Sequence, residues 1–505
     1  MTITRTWKLR RLLARAWQAL QGLDIPEAER LASRLERFQM ATIAGGGDAP
    51  DYTNAVLGAA LLAVQDDSRG ALALARRAQR HPFADMECRS LATMICRWAH
   101  WRAGQLNEFH SAGRAQWRTG LRRCRAITSI FDLNLEAAVE FGRLRLAVSR
   151  RLAAEALERA RATACGESAA GLLAAALMAQ VAYEQGQLDE AELAIRYRMS
   201  AIRTLATIEC VTRAYVILAR LAVQRHRSDN ALTLLRDAQS LGERRRWPRL
   251  VAAMLGERIR ILLDENDETT ALSALRDLEA LSRSQPASSA SAQALQPAQA
   301  DIELECQLAQ LRFRQRQVAA EQAASALESL RQKALARSDL RLALEMHLIS
   351  VAAYAQCAQT FEAQEGLIAA LDVGAANGLC MTFVDAGPVV RKLLEELCHD
   401  PSISDERVLE LRPYVHTLLT HFPDSQRPAS CTQRAPEAIR QPLTPRESNV
   451  LRLIAGGLSN KRIAQRLDIT PETVKSHTKS IFAKLAAQTR AQAVAHGEAL
   501  GLLQA

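Results

Sequence analysis

Aromatic side chains are scarce here: Phe, Trp and Tyr together make up 4% of the 505 residues. Strand-favouring residues are thin in consequence, while Ala, Leu, Arg and Gln are abundant, so a mostly α-helical protein is expected. Long apolar runs are lacking too. One charge-free apolar stretch, Ser168 to Tyr183, is 16 residues and rich in Ala. That is too short and too small-sided to span a bilayer, so no membrane role is expected. The opening segment, MTITRTWKLRRLLARAWQAL, is basic but has no uninterrupted apolar centre, which argues against a secretory signal. The ten cysteines (Cys88, Cys96, Cys124, Cys165, Cys210, Cys306, Cys357, Cys380, Cys398 and Cys431) include no C-x-x-C pair. Most lie in apolar helical patterns, where a free thiol acts as a small hydrophobe, so a reducing, cytoplasmic setting without disulfides is expected.

Signatures of catalysis are missing as well. There is no G-x-x-x-x-G-K-[ST]; Gly45-Gly46-Gly47 runs into Asp-Ala-Pro and reads as a flexible loop, so neither ATP binding nor any other cofactor is expected. No G-x-S-x-G, H-E-x-x-H or Asp-rich receiver pattern occurs. His399 beside Cys398 reads as a surface helix end, and the acidic run Asp264 to Glu268 as a solvated turn rather than a metal site. The six Trp residues are expected mainly in helix packing.

What is present is the balance of a soluble globular chain, 48% hydrophobic and 24% charged, long enough for several domains. The net charge of +10 is unevenly placed. From Pro436 to the C-terminus there are ten Lys/Arg against five Asp/Glu, so half of the excess sits in 70 residues. A basic terminal module on a near-neutral body is what a nucleic-acid-binding tail looks like.

The middle of the chain repeats. In rows of 40, residues 171–210, 211–250 and 251–290 superpose without gaps. Val181, Leu221 and Ile261 share a column; so do Ala191, Ala231 and Ala271; so do Ile195, Leu235 and Leu275; and Arg196, Arg236 and Arg276 follow. Each row reads helix, polar turn, helix, the turns being EQGQLDE, QRHRSDN and DENDET. Such a pair cannot bury its apolar face alone, but stacked pairs form one continuous core, an α-solenoid whose concave surface suits a peptide or an extended small ligand. Upstream, 70–80 and 151–161 read as second helices of such pairs and 103–109 as an inter-helix turn; downstream, 348–379 reads as another helix pair. Two stretches break the pattern. Seventeen of the 19 residues from Ser282 to Ala300 are Ser, Ala, Gln or Pro, and Pro423 to Pro442 holds four prolines; the first reads as an irregular segment, the second as a linker. The body resembles the tetratricopeptide-like (TPR-like) domain of large bacterial transcription activators of the MalT type. The segment NGLCMTFVDAGPVVRKLLEEL, 377–397, carries the Gly-x-x-x-x-Phe-Val-Asp-x-Gly-Pro pattern similar to the end of that domain. Members of that class carry an N-terminal nucleotide-binding (NTPase) module, for which no phosphate cradle is found here.

From Leu443 to Leu503 helix starts are signposted. Thr444-Pro445-Arg446-Glu447 is a capping box with Pro at the first helical position; Thr470-Pro471 opens a helix in the same way; Ser459 is another cap, and Thr489 with Gln492 a further box. Gly456-Gly457 and Asp468 lie where helices end. Four helices follow, at about 445–455, 460–467, 471–485 and 490–500. One small core takes Val450, Leu451, Leu453 and Ile454; Ile463, Ala464 and Leu467; Val474, Thr478, Ile481 and Leu485; then Ala493, Val494 and Leu500. Lys475, Ser476 and Lys479 then fall on the outer face of the third helix, which carries no acid beyond Glu472. The segment resembles the LuxR/FixJ-type DNA-binding domain: Leu443 to Glu447, Gly457-Leu458-Ser459-Asn460-Lys461-x-Ile463-Ala464, Thr473-Val474-Lys475-x-His477, Lys484-Leu485 and Arg490-x-x-Ala493-Val494 all stand where that pattern wants them. The resemblance implies that the third helix enters the major groove, with Lys475, Ser476 and Lys479 toward base edges and adjacent phosphates. It implies phosphate contacts from Asn460, Lys461, Thr470 and Thr473 at helix N-termini, and dimerisation on DNA through 490–500. Two positions depart from the pattern. Arg462 replaces the usual Glu, removing a capping partner of Ser459 and adding charge; Thr478 replaces the usual Val and is expected to loosen the core.

The sequence therefore predicts an all-α protein: a TPR-like helical-repeat solenoid over 1–422 with an irregular segment at 282–300, a linker at 423–442, and a four-helix LuxR-type helix-turn-helix domain over 443–505. The function expected is a sequence-specific transcription regulator, an activator, whose repeats sense a small-molecule or protein effector. Its partners would be double-stranded DNA and RNA polymerase. The alternative is a solenoid scaffold for protein–protein interaction, with DNA binding secondary.

Overall fold

A computed structural model describes residues 12, 15, 27–35, 51–82, 84, 86–113, 122–163, 165–284, 297–314, 320–399, 406–423, 444–455, 460–467 and 469–484. All regular structure among them is helical, and the chain divides into two compact units, Met1–Pro423 and Asp424–Ala505. The larger is the helical-repeat array. The irregular stretch expected at 282–300 is shorter among the described residues: the helix Glu268–Ser284 runs into it from one side and Pro297–Arg314 starts inside it from the other.

The 40-residue period survives in three dimensions. The helices Ala169–Glu184, Ile208–Gln224 and Pro248–Asp264 stack on one another, each followed by its partner, Leu188–Arg196, Ser228–Arg245 and Glu268–Ser284. Ala191, Ala231 and Ala271 are all fully buried, as are Ile195 and Leu235, while Val181, Leu221, Ile261 and Leu275 keep at most 6% exposure. Arg196, Arg236 and Arg276 are exposed, so that column marks the solvated side. Each turn is closed by one left-handed residue at the same place, Gly186, His226 and Asn266, with φ of +75°, +56° and +61°. The next residue donates its N–H five residues back: Gln187 to Ala182 O at 2.8 Å, Arg227 to Ala222 O and Asp267 to Leu262 O at 2.9 Å each. This is the Schellman closure that satisfies orphan helix carbonyls. The sequence signals this position by Gly in one repeat of the three; in the others His and Asn accept the strain.

Ion pairs draw distant parts of the array together. Arg249 donates to Asp66 at 2.7 and 2.9 Å and to Glu209 at 2.8 Å, Trp247 Nε1 donates to Val64 O at 3.0 Å, and Arg102 and Arg337 both donate to Asp301. The Gly-x-x-x-x-Phe-Val-Asp-x-Gly-Pro segment does the same. Gly378 ends the helix Thr360–Asn377 with φ +65°, Phe383 is buried edge-on to Tyr414, and Cys380 N–H donates to Glu184 O at 2.8 Å. Asp385 then accepts from Tyr183 Oη at 2.9 Å and from Arg220 at 2.8 Å. Beside this charge cluster lies a cavity of about 220 Å³, lined among others by Arg220, Arg260 and Asp385.

Because Ala231 has no free space around it, Ala231→Leu is expected to destabilise the array by about 1–3 kcal/mol through overpacking. Arg236→Ala, on the exposed column, is expected to stay within about 0.5 kcal/mol. Urea unfolding followed by far-UV circular dichroism measures both.

Candidate nucleic-acid interface

The C-terminal unit is built around one carboxylate. Thr444 N–H and Oγ1 donate to Glu447 Oε2 at 2.7 and 3.0 Å, while Glu447 N–H donates back to Thr444 Oγ1 at 3.3 Å. This reciprocal capping box starts the helix Pro445–Ala455. The same carboxylate also holds the third helix, Pro471–Lys484: Ser480 Oγ donates to Oε1 at 2.5 Å and Lys484 Nζ to Oε2 at 2.7 Å. Glu447 is buried at 4% exposure. Burial alone would push its acid form up, but the bonds from Lys484, Ser480 and Thr444 outweigh this and hold the carboxyl at about 2.

Against this clamp sits the core of Val450, Leu451, Ile454, Ile463, Ala464, Val474 and Ile481, with Leu453, Leu467 and Ile469 partly buried around it. The second helix, Asn460–Leu467, is joined to the third by a tight turn in which Ile469 N–H donates to Ala464 O at 3.0 Å. Thr470 caps the third helix, its Oγ1 accepting from Thr473 N–H at 3.2 Å and lying 2.8 Å from Thr473 Oγ1. Thr478 is half-buried and donates to Val474 O at 2.8 Å, so the hydroxyl expected to loosen the core has a partner. Leu485, Ala493, Val494, Leu500, Ser459 and the helix expected at 490–500 lie outside the described residues.

With Val474 and Ile481 turned inward, Lys475, Ser476 and Lys479 are all exposed on the opposite side, Lys475 and Lys479 one turn apart. Lys475 Nζ donates to Glu472 at 2.7 Å, both side chains being more than half exposed. An exposed pair of this kind is worth about 0–1 kcal/mol, little to give up for a phosphate or a base acceptor. Thr470 and Thr473 are exposed at the N-terminus of the same helix, where backbone N–H groups and the helix dipole attract anions. Asn460 and Lys461 form the first turn of the second helix. Arg462 is exposed and adds to the cationic surface. Lys484 is different: at 17% exposure it is taken up by Glu447. The sequence pointed to Glu447 as a cap alone; the Ser480 and Lys484 spacing, one turn apart, was the available signal for its second role.

Residues 441–496 match the family described as bacterial regulatory proteins, luxR family. Residues 53–400 match the MalT-like TPR region. The chain is similar to the HTH-type transcriptional regulator MalT of Klebsiella pneumoniae (strain 342), 31% identical over 157 residues, covering 29% of this chain and 17% of that protein. It is likewise similar to MalT of Yersinia pestis (strain Pestoides F), 31% identical over 173 residues, 32% of this chain and 19% of that protein. The matched stretch is thus less than one fifth of the length of either regulator. Among solved structures, Rap protein complexed with competence and sporulation factor aligns with a TM-score of 0.53 at 10% identity, over 73% of this chain and 98% of that one, which establishes the fold of the array. No helix among the described residues is long and apolar enough to cross a membrane, and no group of His, Cys, Asp or Glu among them could hold a metal ion.

Stability that depends on Glu447 has a definite pH window. Its folded pKa lies below the ordinary value, so the contribution is complete above about 4.5 and lost as pH falls toward about 2. Glu447→Gln is expected to lower hydrogen-exchange protection of the 471–484 helix at neutral pH by about 1–3 kcal/mol. Comparing the two proteins at each pH, this difference should shrink below about 4.5 and vanish near 2. A difference that persists there would remove Glu447 from the role assigned to it.

Proposed function

The chain belongs to the family of the MalT-like TPR region, and on that footing we propose that it is a sequence-specific transcription activator whose helical array senses an effector. The observation that carries the reading is the third helix of the C-terminal unit. Its inner side is locked by Val474, Ile481 and the Glu447 clamp, while Lys475, Ser476 and Lys479 stand clear on the outer side. In the major groove Lys475 and Lys479 donate to guanine O6 and N7 or to flanking phosphates, and Ser476 to either partner of a base edge. Lys461, Asn460, Thr470 and Thr473 fix the register on the backbone. Two copies bind an inverted repeat and recruit RNA polymerase. The array supplies the response to a small molecule or partner protein, and no catalysis by this chain is required.

Mobility shift of a bound promoter fragment at several salt concentrations separates the roles. Lys475→Ala is expected to cost about 1–3 kcal/mol in specific affinity, and Lys461→Ala to weaken all sequences alike and lower the salt slope by about one per half-site. Ile481→Ala should instead destabilise the unit by about 2–5 kcal/mol through a core cavity. Unchanged binding by a Lys475→Ala/Lys479→Ala double variant would favour the scaffold reading.

A further inference from the structure

The cavity inside the array is walled by the helices Ile208–Gln224, Pro248–Asp264, Pro297–Arg314 and Leu340–Gln356 and by residues 382–389. Its volume of about 220 Å³ equals that of roughly seven water molecules. This is room for a small metabolite and not for a peptide. Four guanidiniums line it, Arg220, Arg260, Arg312 and Arg341, against the carboxylates of Asp264, Glu345 and Asp385.

The four arginines are not equivalent. Arg220 donates to both oxygens of Glu257 at 2.9 and 3.0 Å and to Asp385 at 2.8 Å. Arg260 donates to Glu257 at 2.6 and 3.2 Å and to Asp264 at 3.3 Å. Both are fully engaged as structural ties. Arg312 and Arg341 instead share one carboxylate: Arg312 Nη2 donates to one oxygen of Glu345 at 2.9 Å and Arg341 Nη1 to the other at 3.3 Å. Among the described residues these are the only hydrogen bonds either guanidinium makes, out of five N–H donors each. Their side chains keep 16% and 22% exposure, recessed yet reachable. Counted with Glu257, Asp264 and Asp385, the carboxylates around the recess balance its guanidiniums in number, so what is left unmet at Arg312 and Arg341 is several N–H donors, and a guanidinium fork fits a planar or tetrahedral oxyanion best. Gln356 on the same wall offers a partner for a hydroxyl group.

We propose that this cavity binds a small hydroxylated oxyanion, a carboxylate or phosphate ester of metabolite size, with its anionic group between Arg312 and Arg341. The regulatory consequence rests on the reading of the array as the sensing part; the binding itself does not. Glu345 occupies the seat in competition with the ligand, which sets the sign of the decisive variant.

Calorimetric titration of the full chain at low ionic strength with malate, glycerol 3-phosphate and neutral glycerol tests it. One of the two anions should bind saturably at one site per chain, identifying the carboxylate or the phosphate source, with glycerol silent. Glu345→Gln should tighten that binding about tenfold, and Arg312→Gln should weaken it by at least as much, with circular dichroism confirming that each variant is folded. If Arg312→Gln does not fold, Glu345→Gln still decides, because a purely structural ion pair gives no gain in affinity. No saturable heat from either anion, or binding indifferent to Glu345→Gln, would overturn the proposal. Anion binding by a chain that fails to retard DNA would strike down the regulatory reading and leave this site standing; DNA retardation without anion binding would do the reverse.

Discussion

Arg220 reaches out of the second repeat to two acids, Glu257 in the third and Asp385 165 residues further along the chain. All three are buried or nearly so, and Arg260 joins them through Glu257. Removing such charges from water costs several kcal/mol per ion, and deleting one partner would leave the others uncompensated at about 3–5 kcal/mol. The pairing is therefore obligatory once these residues lie inside. It obliges the 378–388 segment to dock on the inner ends of the repeats, where Tyr183 and Glu184 also receive it. The cavity borders this charge cluster, and the two incompletely bonded arginines, Arg312 and Arg341, line it as well.

The C-terminal unit solves a smaller problem by the same means. Among the described residues, three short helices enclose a core of a few aliphatic residues. Glu447 adds directional bonds from two helices to one buried carboxylate. The exposed lysines thereby stand on a held scaffold, which is what base readout demands of a helix whose contacts are each worth about 1–3 kcal/mol. Under the function proposed, an effector bound in the array would change DNA affinity only through unequal affinity for two states of the protein.

Much of this was legible in the sequence, and for local reasons. The gapless 40-residue period put Ala191, Ala231 and Ala271 in one column because each packs in the same place, and the capping box at Thr444 and the cap at Thr470 announced helix starts that the structure reproduces. The outer face of the third helix followed from 3.6-residue periodicity around Val474 and Ile481. What stayed hidden depends on contacts without a local pattern. Arg249 with Asp66 and Arg102 with Asp301 join residues 183 and 199 positions apart, and in sequence each reads as ordinary solvated charge. Lys484 stood in the sequence only as a position of the LuxR-type pattern, while in the structure its ammonium is committed to Glu447.

The central claim is that the third helix of the C-terminal unit reads specific DNA through Lys475, Ser476 and Lys479. The most direct test is a genome-wide map of DNA bound by the full chain in a cell, compared with the Lys475→Ala/Lys479→Ala variant at equal abundance. The account predicts discrete sites sharing an inverted-repeat sequence that disappear in the variant. Diffuse, sequence-independent occupancy, or the same sites retained by the variant, would contradict it.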